Sequence, residues 1–238
     1  MSRLLLVAAA ALLLVAVPAS SADEQPPWTR AVYVVDDSDS ITEAELADAL
    51  PAFQAAVSHD LKPYWNVDAR LVLGPPPSAR AWTITLSDHV DCLFCAGYHD
   101  TRLGVPYAKV FTLEDVDWQV VFTHELFEML VDPQINRAAL DKLTFRLVEV
   151  ADPVEAEQYA YERPSATGQP VQISDFVTER WYRHGLQRGP FDYAGHVRKP
   201  LQLLTDGYVS YWTGSNWTQQ LASGQRTRRR LAVYPTQP

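Results

Sequence analysis

His124 and Glu128 stand four residues apart in His124-Glu-Leu-Phe-Glu128. On an α-helix that spacing stacks two side chains one turn apart on the same face. An imidazole and a carboxylate so placed can share one divalent ion, and Glu125 beside them can act as general base toward a water on that ion. A third ligand must come from elsewhere in the chain. The segment Glu149-Val-Ala-Asp152-Pro-Val-Glu155 offers Glu149 first and Asp152 as its rival, each made a fixed acid by the rigid Asp-Pro step. His99, in Gly-Tyr-His-Asp, and Asp132, in the same helical sector as His124, are additional candidates.

One imidazole and two carboxylates neutralise a divalent ion. They leave it a weaker Lewis acid than two imidazoles and one carboxylate would, so bound water is harder to ionise. Oxygen-rich ligation also admits Mn, Fe(II), Mg or Ca beside zinc. A plainer description fits the same residues. Glu114, Asp117, His124, Glu125, Glu128 and Asp132 share one sector of a helical wheel, with Trp118, Phe122, Leu126 and Met129 outside it, as on an ordinary amphipathic surface helix.

Several elements must position these side chains. Residues 31–35 read as a strand closed by the turn residues at 36–40. Thr42 and Glu45 form a capping box, and Leu46, Leu50, Phe53, Val57 and Leu61 follow at helical spacing, with a kink or restart at Pro51. Residues 71–73, 81–86 and 107–111 read as strands, and a loop carries Cys92, Cys95 and His99. Thr112 caps a helix over 113–131 whose early acids suit the positive end of its dipole, and Asp132-Pro133 stops it. Beyond it, 143–150 is a strand or short helix, 171–177 a strand, and the tail β and loop. The fold class is α+β.

The H-E-x-x-E helix resembles the H-E-x-x-H helix of zincin metallopeptidases, in which two histidines bind zinc and the glutamate activates water. Glu128 stands where the second histidine belongs. The order of elements over about 31–132 is also similar to a zincin N-terminal lobe. The combination H-E-x-x-E-x-x-x-D-P with E-x-x-D-P-V-E is similar, further, to bacterial and phage-associated proteins of no established activity. The resemblance implies a zincin-like N-terminal lobe over 23–132, a mixed sheet with two helices, in which the strand at 107–111 walls the cleft. A smaller, irregular, β-rich C-terminal lobe over 133–238 would complete that cleft. It also implies zinc as the first metal, with Mn, Fe or Ca as alternatives, Glu149 as third ligand with Asp152 orienting a ligand, Glu125 as base, and a peptide or protein as substrate.

Residues 1–22 read as a secretory signal: Arg3, then an apolar run of about 14 residues, too short for the roughly 20 that cross a bilayer, then small residues ending at Ala22. The expected product is secreted or periplasmic and free of the membrane after cleavage. Loss of Arg3 makes it one unit more negative than the −9 of the whole chain. That balance argues against nucleic acid as a partner, because phosphate binding needs clustered Lys and Arg. The one basic cluster, at 226–230, reads as a solvated edge. In an oxidising compartment Cys92 and Cys95 read as a local disulfide. The stretch from Trp181 to His184, and His196, could line a pocket. An exported binding or structural protein on the same scaffold is the competing function, and a two-carboxylate glycosidase a weaker one, since neighbours on one helix face do not oppose each other across a cleft. Oligomeric state is left open.

Overall fold

The computed structural model of the chain describes residues 30–92, 95–224 and 226–228. Strand β1 (Arg30–Asp37) buries Val32 and Val34 and lies parallel to β2 (Ala69–Leu73) on one side and β3 (Trp82–Ser87) on the other. Between β1 and β2 runs α1 (Glu43–Ala55), opened by the expected capping box: Thr42 Oγ1 accepts from Glu45 N at 3.2 Å, and Glu45 Oε2 accepts from Thr42 N at 2.9 Å. Pro51 lies inside this helix without ending it. The chain widens into a π-helical turn at Ala56–Leu61 and closes with α2 (Lys62–Trp65), where Asn66 turns left-handed.

The first sheet continues with β4 (Gly97–Arg102) and β5 (Val105–Phe111) in the order β2-β1-β3-β5-β4, with only β4 antiparallel. Two expectations change here. His99 lies in β4 rather than in a loop, and β5 is an interior strand, so the sheet edge is β4.

Helix α3 (Trp118–Val131) begins later than the sequence predicts. Asp117 keeps an extended backbone and its carboxylate accepts from Gln119 N at 2.9 Å. Glu114 and Asp115 therefore sit in the preceding turn. From Val120 to Val131 only His124 is more than slightly exposed. Trp118, Val121, Phe122, Leu126, Phe127 and Met129 make the helix apolar nearly all round, as buried helices are. The surface-helix description thus gives way, and Glu125 and Glu128 are carried into the interior with the helix.

Beyond α3, β6 (Ala138–Asp141) and β7 (Thr144–Leu147) form a hairpin, and β8 (Tyr161–Pro164) and β9 (Pro170–Ile173) form another. Strands β10 (Tyr208–Trp212), β11 (Trp217–Leu221) and β12 (Arg226–Arg228) join the first hairpin in an antiparallel sheet of order β12-β11-β10-β7-β6. The strand expected over 171–177 stops at Ile173. One hydrophobic core crosses the boundary at 132: Phe53 stacks on Phe122 at 4.4 Å, and Phe127 meets Phe176 edge-on at 5.3 Å. Among the described residues no helix is long and apolar enough to cross a membrane. Residues 1–22, where a signal is expected, lie outside the described residues, as do Arg229 and Arg230 of the basic cluster.

Candidate metal centre

Three elements converge on one buried cluster. Helix α3 supplies His124, Glu125 and Glu128; β4 supplies His99; the chain entering the 3-10 turn Asp152–Val154 supplies Glu149 and Asp152. The approach of β4 to α3 depends on Gly97. A Cβ there would lie 2.7 Å from Val121 Cγ1 and 2.9 Å from Glu125 Cγ and from the carbonyl of Lys109. Side chains two apart on a strand share a face, so this glycine contact brings His99 against the helix. The Asp152 turn is held from the other side. Leu204 N donates to the Pro153 carbonyl at 3.0 Å, and Gly207 packs so closely that a Cβ would lie 2.3 Å from that oxygen.

His124 Nε2 lies 3.5 Å from both Glu128 Oε2 and Asp152 Oδ1. His99 Nδ1 lies 3.4 Å from Glu125 Oε2 and 3.5 Å from Glu128 Oε2, while its Nε2 is 3.4 Å from Glu149 Oε2. The ligand-type atoms thus fall into two groups, His124–Glu128–Asp152 and His99–Glu128–Glu149, joined at Glu128. Glu128 divides its oxygens: Oε1 accepts from the N–H groups of Ala151 at 3.0 Å and Asp152 at 3.2 Å, which leaves Oε2 toward the imidazoles. Behind Glu149, Tyr182 donates its hydroxyl to the Glu149 carbonyl at 2.9 Å.

These separations decide whether the cluster fits an ion. Charge-assisted hydrogen bonds close to about 2.7–2.9 Å. Ligand atoms held tetrahedrally at 2.0–2.2 Å from an ion sit roughly 3.3–3.6 Å from each other. The spacing around His124 Nε2 matches the second case. The donor set, one imidazole and two carboxylates, suits Zn, Mn or Fe(II) and is charge-neutral with any of them. The field of the acids favours positive charge here, a proton on the imidazoles as much as an ion: burial alone would lower both imidazoles, yet Glu149, followed by Glu125 and Glu128, holds His99 up at about 10, and Glu128 and Asp152 hold His124 well above its ordinary value. Burial would raise the Glu128 carboxyl, but His124 keeps it below the ordinary range. Four carboxylates in so small a volume call for positive charge.

A cleft of about 560 Å³ opens onto the cluster, lined by Gly97, Val120, His124, Glu125, Glu155 and Tyr208 among others. His124 and Glu125 therefore face the cleft, while His99, Glu149 and Asp152 stand behind them. Burial pushes the Glu155 carboxyl up to about 8, and the Asp152 carboxylate adds to the effect. Cys92 and Cys95 form a disulfide, with Cα atoms 6.0 Å apart, and Cys95 reaches the cleft rim.

Of the sequence candidates, His124, Glu128 and Asp152 come together as one ligand group. Glu149 is placed with His99 instead of with His124. Asp132 belongs to neither group: its carboxylate accepts from Asn136 N at 3.0 Å and from Arg137 N at 2.9 Å, closing the turn after α3. Glu155 went unremarked as a cleft residue, although it lies in the same acidic segment as Asp152. No family model, no curated protein and no solved structure matches this chain.

Proposed function

We propose that the chain is an exported metal-dependent hydrolase, a zincin-like peptidase, whose ion is held by His124, Glu128 and Asp152. The observation that carries this reading is the spacing of one imidazole nitrogen and two carboxylate oxygens at the separation of ligands around one ion, 3.5 Å from His124 Nε2 to each oxygen, with His124 lining a cleft. The α+β fold, with a mixed sheet beside the H-E-x-x-E helix, supports the zincin comparison. The signal at 1–22 and the Cys92–Cys95 disulfide support export.

A divalent ion at this position supplies Lewis acidity to a carbonyl and to water. The chain supplies the rest. Glu125, in the cleft wall next to His124, takes the proton from the attacking water. His99, 3.4 Å away, fixes the Glu125 carboxylate in place. Strand β4 is the sheet edge and Gly97 borders the cleft, so an extended peptide can lie along the unpaired backbone of β4. Glu157 and Asp206 give the cleft an acidic lining that favours neutral or basic side chains in that peptide, while the Glu155 carboxyl, pushed up to about 8, stands there as a neutral hydrogen-bonding group at lower pH.

Elemental analysis of protein purified without chelators tests the ion, and a peptide library tests the chemistry. A content of Zn, Mn or Fe that falls by about one equivalent in His124→Ala, with hydrolysis lost but metal retained in Glu125→Gln, is the expected result. A metal-free wild type that stays inert after metal is added sinks the reading. Bound metal with no hydrolysis of any peptide would instead leave an exported binding protein on the same scaffold.

A further inference from the structure

Between Ile173 at the end of β9 and Tyr208 at the start of β10 no residue belongs to a strand or helix. So long a stretch without secondary structure is uncommon within a compact domain. This one nevertheless buries Phe176, Trp181, Tyr182 and Phe191. It has one strand-type bridge among the described residues, between Val177 and Asp192, flanked by Thr178 N donating to the Phe191 carbonyl and Tyr193 N to the Phe176 carbonyl. Something other than a hydrogen-bonded ladder must hold it.

Two carboxylates sit at its centre. Asp175 Oδ1 accepts from Phe176 N at 2.8 Å and Ala194 N at 2.9 Å, while Asp192 Oδ2 accepts from His196 N at 2.6 Å and Val197 N at 3.1 Å. Each carboxylate is thus fixed by two backbone donors through one oxygen. The other oxygens, Asp175 Oδ2 and Asp192 Oδ1, are fully buried and accept from no N–H or hydroxyl of the described residues; burial and the facing Asp192 carboxyl push Asp175 up to about 8. Both side chains are 0% exposed. Their one ion-pair neighbour among the described residues is His196, whose Nδ1 lies 3.5 Å from Asp175 Oδ2 and 3.9 Å from Asp192 Oδ2. Both distances are too long for a hydrogen bond.

Two ionised carboxylates buried together with one imidazole are costly unless a cation joins them or a proton is shared. The three residues offer ligand atoms within 4.8 Å of one another, and His196, 39% exposed, gives an ion a path in from solvent. We infer that Asp175, Asp192 and His196 form a second metal-ion site, sharing no residue with the cleft, that binds a divalent first-row ion such as zinc or manganese and fastens the stretch from Ser174 to Val197. Two carboxylates neutralise such an ion, and the imidazole favours it over magnesium or calcium. The role is structural: Trp65 Nε1 donates to the Val177 carbonyl, and Tyr182 carries the hydrogen bond to Glu149, so the fastened stretch backs the core and the cleft cluster alike.

The experiment uses the whole protein carrying His99→Ala and His124→Ala, so that neither cleft group keeps its imidazole, stripped with a chelator and then titrated with Zn(II) or Mn(II). Bound metal and the thermal midpoint are read together. The expected result is close to one equivalent retained and a rising midpoint, both weakened by His196→Ala and abolished by Asp175→Asn with Asp192→Asn. His196 is partly exposed, so its variant stays folded and informative even where the paired Asn variant does not. No bound metal in the protein lacking both cleft histidines at saturating ion, or an unaltered response on adding His196→Ala, overturns the site and leaves the carboxyl pair sharing a proton. Because the first site is disabled throughout, neither outcome depends on whether the cleft is catalytic.

Discussion

Glu128 shows why the departure from two histidines is built into this site. One oxygen accepts two backbone N–H groups from the Asp152 turn while the other faces the imidazoles, and a histidine cannot do both. Glu128→His, which restores H-E-x-x-H, is therefore expected to lower metal content and to cost about 2–3 kcal/mol of stability by stranding two buried donors; elemental analysis and urea unfolding read both. Asp132→Ala separates the two classes of acid on this segment. It removes the cap on Asn136 and Arg137 and should cost about 1–2 kcal/mol with metal content unchanged. The His124–Glu128 pair was legible because helical spacing alone dictates it. The choice between Glu149 and Asp152 was not, since the orientation of a 3-10 turn decides which carboxylate meets His124, and no periodicity encodes that orientation. His99 was visible only as a lone histidine, because its partners lie on an element distant in sequence.

Most elements were legible for local reasons. Alternation marked β1, β3 and β5, and the Thr42–Glu45 box marked the start of α1. The start of α3 was misread because Thr112 and Asp117 are both able caps, and only the extended backbone at Asp117 settles between them. A helical wheel could not report that α3 is covered on every side, since that cover comes from β4, β5 and β9. The closeness of β4 to α3 gives a test at this scale. Gly97→Ala forces a Cβ to within 2.9 Å of Glu125 Cγ and the Lys109 carbonyl and should cost about 1–3 kcal/mol as the strand moves off the helix. Metal content and hydrolysis should fall with it, because His99 and Glu125 separate.

The two lobes expected from the sequence share one core, and a polar knot fastens them. Asp60, buried in the π-helical turn, accepts from Tyr161 Oη at 2.9 Å, Arg163 Nε at 2.9 Å and Tyr193 Oη at 2.8 Å. Removing one member of a buried charged network strands the others. Asp60→Ala is accordingly expected to lose about 2–4 kcal/mol, discounted for the partial exposure of Arg163. A single unfolding transition, the same by fluorescence and by far-UV circular dichroism, would mark the lobes as one cooperative unit. The turn that presents Asp152 is itself clamped by chain made much later, the Leu204 amide and Gly207 resting on the Pro153 carbonyl. During synthesis, then, every candidate ligand of the cleft emerges well before the segment that gathers them. A chain cut short ahead of Leu204 carries all the candidate ligands and lacks the clamp, so under the proposed function capture of an ion would double as a check that the chain has reached Gly207.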